Sequence, residues 1–375
     1  MSRDRVTGAR ENPLVRLGEL GQSVWYDYIT RDLLSSGELD RLIREDGLRG
    51  MTSNPTIFEK AIAASQLYDD DIRRLSEQGR SAGEIFEALA VADVRAACDA
   101  FAGLYQRTGG QDGFVSLEVS PRLAHDPDAT LHEADRLWQA VGRPNAMIKV
   151  PGTQAGLSAI TGAIASGINV NVTLLFSVQR YAEVIEAFLE GLERRLDRRL
   201  GLETIGSVAS FFVSRVDGKV DPLLNRKADG SLRGKIAIAN AGMAYQLFRQ
   251  SRTTERWARL SAAGARVQRP LWASTSTKDP DYPDVYYVEA LIAADTVNTV
   301  PPETLEAYRE HGKPAVRIDE AIAAAPAQLA ALEAAGIDLQ AVTRELEDEG
   351  VAKFAASHAS VLTGIEAKAG MLAAR

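Results

Sequence analysis

Three charged side chains lie in runs that a buried strand would fill with apolar residues: Asp27 in SVWYDYI (23–29), Glu118 in FVSLEVS (114–120) and Lys149 in AMIKV (146–150). Asp27, Glu118 and Lys149 each fall late in their run. A lysine in a closed pocket beside two carboxylates is suited to imine chemistry, because desolvation favours the neutral amine and a neutral amine attacks carbonyls. An ionised carboxylate next to it opposes that effect. At least one of the two acids is therefore expected to be protonated or to work through a water, as a proton donor does. The competing reading is a buried ion-pair network with no chemical role. Buried charges are costly and perturbed groups gather at functional sites, which favours the chemical reading.

Other polar residues recur on the same faces. In INVNVTLL (168–175), Asn169, Asn171 and Thr173 alternate with Ile168, Val170, Val172 and Leu174, which puts one face of a strand in polar groups. If that strand is covered on both sides, its polar face needs internal partners or a ligand. Glu118 shares its face with Ser116 and Ser120, Lys149 with Met147, Asp27 with Trp25, and Ser210 in SVASFFV (207–213) with Phe212.

Positioning these groups takes a frame, and the sequence supplies eight short β-rich runs. They are residues 23–29, 50–53, 114–120, 146–150, 168–175, 207–213, 270–274 and 294–300. Amphipathic segments separate them; the clearest, 177–200, repeats Tyr181, Val184, Ile185, Phe188, Leu189 and Leu192 at helical spacing behind the N-cap candidate Ser177. Alternating strand and helix predicts a parallel sheet with helices outside, and eight strands predict closure into a (β/α)₈ barrel. Such barrels gather reactive groups at the C-terminal strand ends, where Asp27, Glu118 and Lys149 fall. The barrel core spans about 23–312, with long helical insertions before the third and seventh strands. An alanine-rich tail, about 316–372, is expected to form two or three helices, with Pro326 starting one and Gly336 and Gly350 separating later ones. No linker or repeat divides the chain, so 1–375 reads as one domain.

Composition narrows the function classes. Forty-three Lys and Arg against 51 Asp and Glu give a formal charge of -8, which disfavours nucleic-acid and anionic-membrane partners and leaves an anionic small molecule dependent on a local basic site. The single cysteine, Cys98, lies in a helical run and reads as a buried thiol. His125, His132, His311 and His358 show no paired ligand spacing, so neither a metal nor another cofactor is expected. The charged N-terminal residues lack a signal-peptide core and no long apolar run follows, which predicts a cytoplasmic protein. A homo-oligomer is compatible with the sequence but not specified by it.

IKVPGT (148–153) resembles the Schiff-base strand of transaldolases. GMTSNPTIFEKAI (50–62), VSLEVSPRLAHD (115–126), NVTLLFS (171–177), SFFVSRVDGKVD (210–221), LWASTSTKDPDYPDVYYVEALI (271–292) and ADTVNTVPPETL (294–305) resemble other motifs of that family in the same chain order. The resemblance is closest to the longer bacterial branch, related to transaldolase/phosphoglucose isomerase fusions. It implies transfer of a dihydroxyacetone unit between sugar phosphates through a Schiff base on Lys149, in the non-oxidative pentose phosphate pathway and without a cofactor. Asp27 matches the residue that takes the C4 hydroxyl proton, Glu118 one that works through a water, and Thr173 one that helps hold that water. Asn54 and Asn171 match residues that hold the dihydroxyacetone hydroxyls, Ser210 and Phe212 residues of the pocket wall, and Arg215 a residue near the substrate phosphate. Ser274 matches a strand-seven serine, but Ser276 stands where shorter members carry a phosphate-binding arginine. Lys278, two residues on, is the expected replacement. From the residues alone, Asn54 could be only a helix cap, Asn171 and Thr173 could satisfy each other, Phe212 could be core, and Arg215 and Lys278 could be solvated surface charges, Lys278 pairing with Asp279. Two rival functions are a class I fructose 6-phosphate aldolase and a noncatalytic sugar-phosphate-binding barrel.

Overall fold

The structure, a computed structural model, describes residues 12–226 and 230–373, so most of the charged N-terminal segment lies outside the described residues. Eight strands pair in parallel, in chain order, and close on themselves as a (β/α)₈ barrel. They are β1 Gln22–Asp27, β2 Gly50–Thr52, β3 Phe114–Glu118, β4 Ala146–Pro151, β5 Val170–Leu175, β6 Ser207–Phe212, β7 Gln268–Ala273 and β8 Thr296–Val300. All eight match expected runs. Asp27 and Glu118 end their strands and Lys149 stands one residue before the end of the ordinary β4 run read from the sequence.

The lower barrel is filled by large side chains opposite glycines. Trp25 is fully buried with its ring 6.4 Å from Phe114, and a Cβ added to Gly50 would sit 2.5 Å from the indole. A Cβ on Gly206 would sit 2.5 Å from the Phe114 ring. The two aromatic rings thus occupy space that the adjacent strands give up. Asn169 belongs to this floor: it donates to the carbonyls of Pro144 and Ala146, at 2.8 and 2.9 Å, and accepts from the Gly206 N–H at 2.8 Å. The polar face of β5 is therefore divided between floor and mouth.

The insertion before β3 is helical, with helices Pro55–Ala64, Asp69–Glu77 and Ala82–Arg107; that before β7 holds Ser214–Arg226, Ile236–Ser251 and Glu255–Ala262. Cys98 is buried in Ala82–Arg107, and burial pushes its thiol pKa up. The tail differs from expectation only at Pro326 and Gly350. It forms two helices, Ile318–Ala334 and Leu339–Ala373, separated at Gly336. Pro326 sits exposed inside the first of them instead of starting it, because Ile318 anchors the helix in the core two turns earlier with Asp319 and Glu320 in its first turn. Gly350 lies inside the second, where its missing side chain allows close packing: a Cβ there would stand 2.9 Å from Leu174 Cδ2.

The long helix Leu339–Ala373 crosses the barrel mouth and is pinned along its length. Arg180 pairs with Glu347 at 3.3 Å, Lys219 with Glu349 at 2.6 Å, and Lys368 with Asp69 at 2.7 Å. Thr56 and Ser357 hydrogen-bond at 2.8 Å. No single helix among the described residues is long and apolar enough to cross a membrane.

The interlocked floor carries a test. Gly50→Ala drives a methyl into the Trp25 ring and should destabilise the fold by about 1–3 kcal/mol, seen as a lower urea midpoint with the native circular dichroism retained in buffer. An unchanged midpoint would show that the indole can move aside.

Candidate active site

Lys149 projects from β4 into the mouth, flanked in register by Glu118 on β3 and Asn171 on β5. Parallel pairing puts these three at one level of the barrel wall. Lys149 Nζ lies 3.6 Å from Glu118 Oε2, and the two side chains are 5% and 4% exposed. Nζ also donates to the Ser53 carbonyl at 3.2 Å, and the Phe354 ring of the long tail helix stands 5.8 Å from it. The lysine nitrogen is thus flanked by a carboxylate, a backbone carbonyl and an aromatic face.

Neither Glu118 carboxylate oxygen has a hydrogen-bond partner among the described residues. Burial, partly offset by Lys149 and reinforced by Asp27, pushes the Glu118 pKa up to about 7. An acid of that strength near neutral pH both gives and takes protons. Asp27, at the end of β1, accepts from Thr52 Oγ1 at 2.6 Å, and Thr52 and Thr299 hydroxyls lie 2.7 Å apart. Burial raises the Asp27 pKa, against Lys149 and the Thr52 hydrogen bond, which lower it. Burial thus raises both acids that stand near Lys149.

Asn171 donates to Ser116 Oγ at 3.0 Å and accepts from Ser210 Oγ at 2.7 Å. Asn171 and Thr173 therefore do not satisfy each other. The buried Thr173 hydroxyl has no protein partner among the described residues, and Thr173 lines the cavity above Lys149. Leu174, next in the chain, has φ 61, and the β5–β6 register shifts between Val172 and Leu175. A left-handed leucine costs about 1–2 kcal/mol, and strain of this kind concentrates where a strand must turn a side chain toward a site. Gly350 packs against this bulge.

The cavity at the mouth is about 740 Å³ and takes in Asp27, Asn54, Lys149 and Thr173 at its base. Ser210, Phe212 and Arg215 form one wall, and Ser274, Ser276 and Lys278 another. Asn54 caps the helix Pro55–Ala64, its Oδ1 accepting from Ile57 N–H at 3.0 Å, so the cap reading holds while its amide nitrogen stays available to a ligand. Phe212 is buried and supports Arg215, whose guanidinium stands 5.0 Å from its ring. Ser274 has φ 55, and its hydroxyl lies 3.1 Å from that of Ser214. Lys278 does not pair with Asp279, which is engaged by Arg233 at 2.8 Å. Glu118 and Asn171 are not on the wall of this cavity: Asn171 is buried beneath it, and Glu118 borders an adjoining cavity that shares Asn54.

Sequence reasoning missed Thr52, Ser53, Lys60, Thr299, Lys353 and Phe354. The polar residues ending β2 and β8 carried a usable signal, because Thr52 and Thr299 are polar side chains at the C-terminal ends of barrel strands. Lys60, Lys353 and Phe354 carried none, since each reads as an ordinary helix residue.

Glu118 gives this site a pH signature. Its folded pKa near 7 exceeds the ordinary 4.5, so the folded chain keeps a proton that the unfolded chain loses. The stability tied to that proton is complete below the unfolded value and is lost as pH rises through about 7. Glu118→Gln, which stays neutral, should therefore be more stable than wild type at pH 8 and lose that advantage at pH 5 in thermal unfolding. An equal difference at both pH values would mean that Glu118 is ionised throughout.

The pattern of the transaldolase/fructose-6-phosphate aldolase family matches residues 24–365. A Nostoc protein named transaldolase 2 is 47% identical over 375 residues, covering 96% of this chain and 98% of the relative. Transaldolases of Frankia alni and Acidothermus cellulolyticus are 49% and 50% identical, each covering 92% of this chain and 94% of the relative. With a barrel of the expected topology and a buried lysine at the mouth, the match over almost the full length shows that the chain belongs to the transaldolase/fructose-6-phosphate aldolase family.

Proposed function

We propose that this chain is a transaldolase in which Lys149 is the Schiff-base nucleophile. It transfers a dihydroxyacetone unit from a ketose phosphate, sedoheptulose 7-phosphate or fructose 6-phosphate, to an aldose phosphate. The observation that carries the reading is the buried Lys149 Nζ, 3.6 Å from a carboxylate held near pKa 7. A charge of -8 disfavours nucleic-acid and anionic-membrane partners, which supports an enzyme that meets freely diffusing small substrates. Chain and barrel act as one catalytic unit to which the tail contributes.

The reaction opens with attack of the Lys149 amine on the C2 carbonyl of the ketose. Water leaves, and Glu118 moves the protons through a water that the unpartnered Thr173 hydroxyl helps to hold. The resulting iminium is the electron sink. Asp27 takes the C4 hydroxyl proton, the C3–C4 bond breaks toward the iminium, and the aldose phosphate departs, leaving dihydroxyacetone as an enamine on Lys149. Asn54, on the cavity wall, holds its hydroxyls, and Asn171, fixed by Ser116 and Ser210 beneath the wall, supports that end of the site from below. The enamine then attacks the carbonyl of a second aldose phosphate, Asp27 returns its proton to the new hydroxyl, and hydrolysis of the imine frees the product. Phe212, Ser274 and the tail helix enclose the fragment, which limits premature loss to solvent. At the far end of the substrate, Arg215 and Lys278 bind the phosphate by charge-assisted hydrogen bonds.

Separating imine formation from bond cleavage tests these roles. Borohydride with fructose 6-phosphate should inactivate the wild type by reduction at Lys149, and Lys149→Arg should give no adduct because guanidinium stays protonated. Asp27→Asn should still be trapped at Lys149 while transfer to erythrose 4-phosphate falls by about 10²–10⁴-fold, the range for loss of a general base. A label on another lysine would remove Lys149 from its role. Release of free dihydroxyacetone in place of transfer would favour a fructose 6-phosphate aldolase, the other activity in the family description.

A further inference from the structure

The cavity is lined by a group of cations that form no ion pairs among the described residues. Arg215 from the helix Ser214–Arg226, Lys278 from the loop after β7, Lys60 from Pro55–Ala64 and Lys353 from Leu339–Ala373 all line it. Among the described residues none of these four has a carboxylate within ion-pair distance. That is not the general condition of this mouth: Lys219, on the same rim, is neutralised by Glu349 at 2.6 Å and Glu345 at 3.0 Å. Four elements distant in sequence thus bring four cations together with no ion-paired carboxylate among the described residues. Like charges in one cavity repel, and a protein of net charge -8 had acids to spare for pairing them.

We infer that the tail helix is a substrate-recognising element, with Lys353 binding the substrate phosphate alongside Arg215 and Lys278. The assignment rests on the transaldolase reading above and adds to it a residue from outside the barrel. Repulsion at this point is visible in Lys353 itself: Arg215, then burial, Lys278 and Lys60 hold its ammonium pKa below the ordinary 10.5. A phosphate dianion removes that repulsion and takes N–H donors from several directions, so the cluster is matched to a doubly charged group more than to a sugar hydroxyl. Lys353 also covers what strand seven lacks. Ser276 reaches the cavity wall as a neutral side chain, and a cation from the helix above the mouth restores the charge. Its neighbour Phe354 faces Lys149 at 5.8 Å, so consecutive residues of one helix serve the two ends of the substrate.

The experiment compares donors in the full-length enzyme. In a ping-pong reaction kcat/KM for the donor reports only the first half, so fructose 6-phosphate and fructose can be compared without interference from the acceptor. Lys353→Ala should lower kcat/KM for fructose 6-phosphate by about tenfold to a hundredfold, the value of one charge-assisted hydrogen bond, mainly through KM. The loss should exceed that for fructose at least tenfold, and inorganic phosphate should inhibit the variant correspondingly less well. Lys353→Arg should recover most of the loss. Equal losses on both donors, or no loss on either, would overturn the assignment. Borohydride trapping with unphosphorylated dihydroxyacetone keeps the two levels apart. An adduct at Lys149 in wild type and variant, with an unchanged donor ratio, rejects Lys353 alone; no adduct in the wild type rejects the transaldolase reading itself.

Discussion

The site is organised by the desolvated contact between Lys149 and Glu118. A lysine and a glutamate on adjacent parallel strands, 3.6 Å apart and about 95% covered, pay a desolvation cost that a surface pair does not. Among the described residues nothing satisfies the carboxylate with a hydrogen bond. Left with burial as the dominant influence, Glu118 rises to about pKa 7, and Asp27 is raised by the same cause. Had backbone N–H groups been directed at either acid, they would have opposed the rise that burial causes. Incomplete satisfaction at this one place is what makes the group chemically usable.

The surrounding architecture keeps that contact dry and in place. Trp25 and Phe114, interlocked with Gly50 and Gly206, close the floor. Asn171, Ser116 and Ser210 form a connected polar layer under the cavity. Above, the long tail helix supplies Phe354 and is tied to the barrel by ion pairs spread along its length. Its close seat depends on Gly350, which lets it rest on the strained Leu174 bulge beside Thr173. Strain in β5, the glycine in the tail and the free threonine hydroxyl are three parts of one local arrangement.

Much of this was legible in the sequence. The period-two polar faces identified Asp27, Glu118, Lys149, Asn171 and Thr173 as inward residues because strand side chains must alternate, and the eight-run pattern fixed the barrel because parallel strands need crossover helices. The ambiguous residues were those whose role depends on who else arrives. Asn54 turned out to cap a helix and also border the cavity, and Lys278 lost its nearest acid to Arg233. Pro326 and Gly350 looked like helix boundaries from local preference alone, yet Ile318 and the fit against Leu174 set the helices instead, as tertiary packing outweighs propensity.

Residue type and spacing by themselves determined the barrel, the inward face of each strand and the level at which a lysine and two acids stand. Those features follow from backbone geometry, which every strand obeys whatever surrounds it. Only the tertiary structure decided which acid would be left without hydrogen bonds, how the tail would cross the mouth, and that Lys60, Arg215, Lys278 and Lys353 would line one cavity. These depend on contacts between segments hundreds of residues apart. Desolvation and charge repulsion are properties of the assembled neighbourhood, and no local pattern in the chain records them.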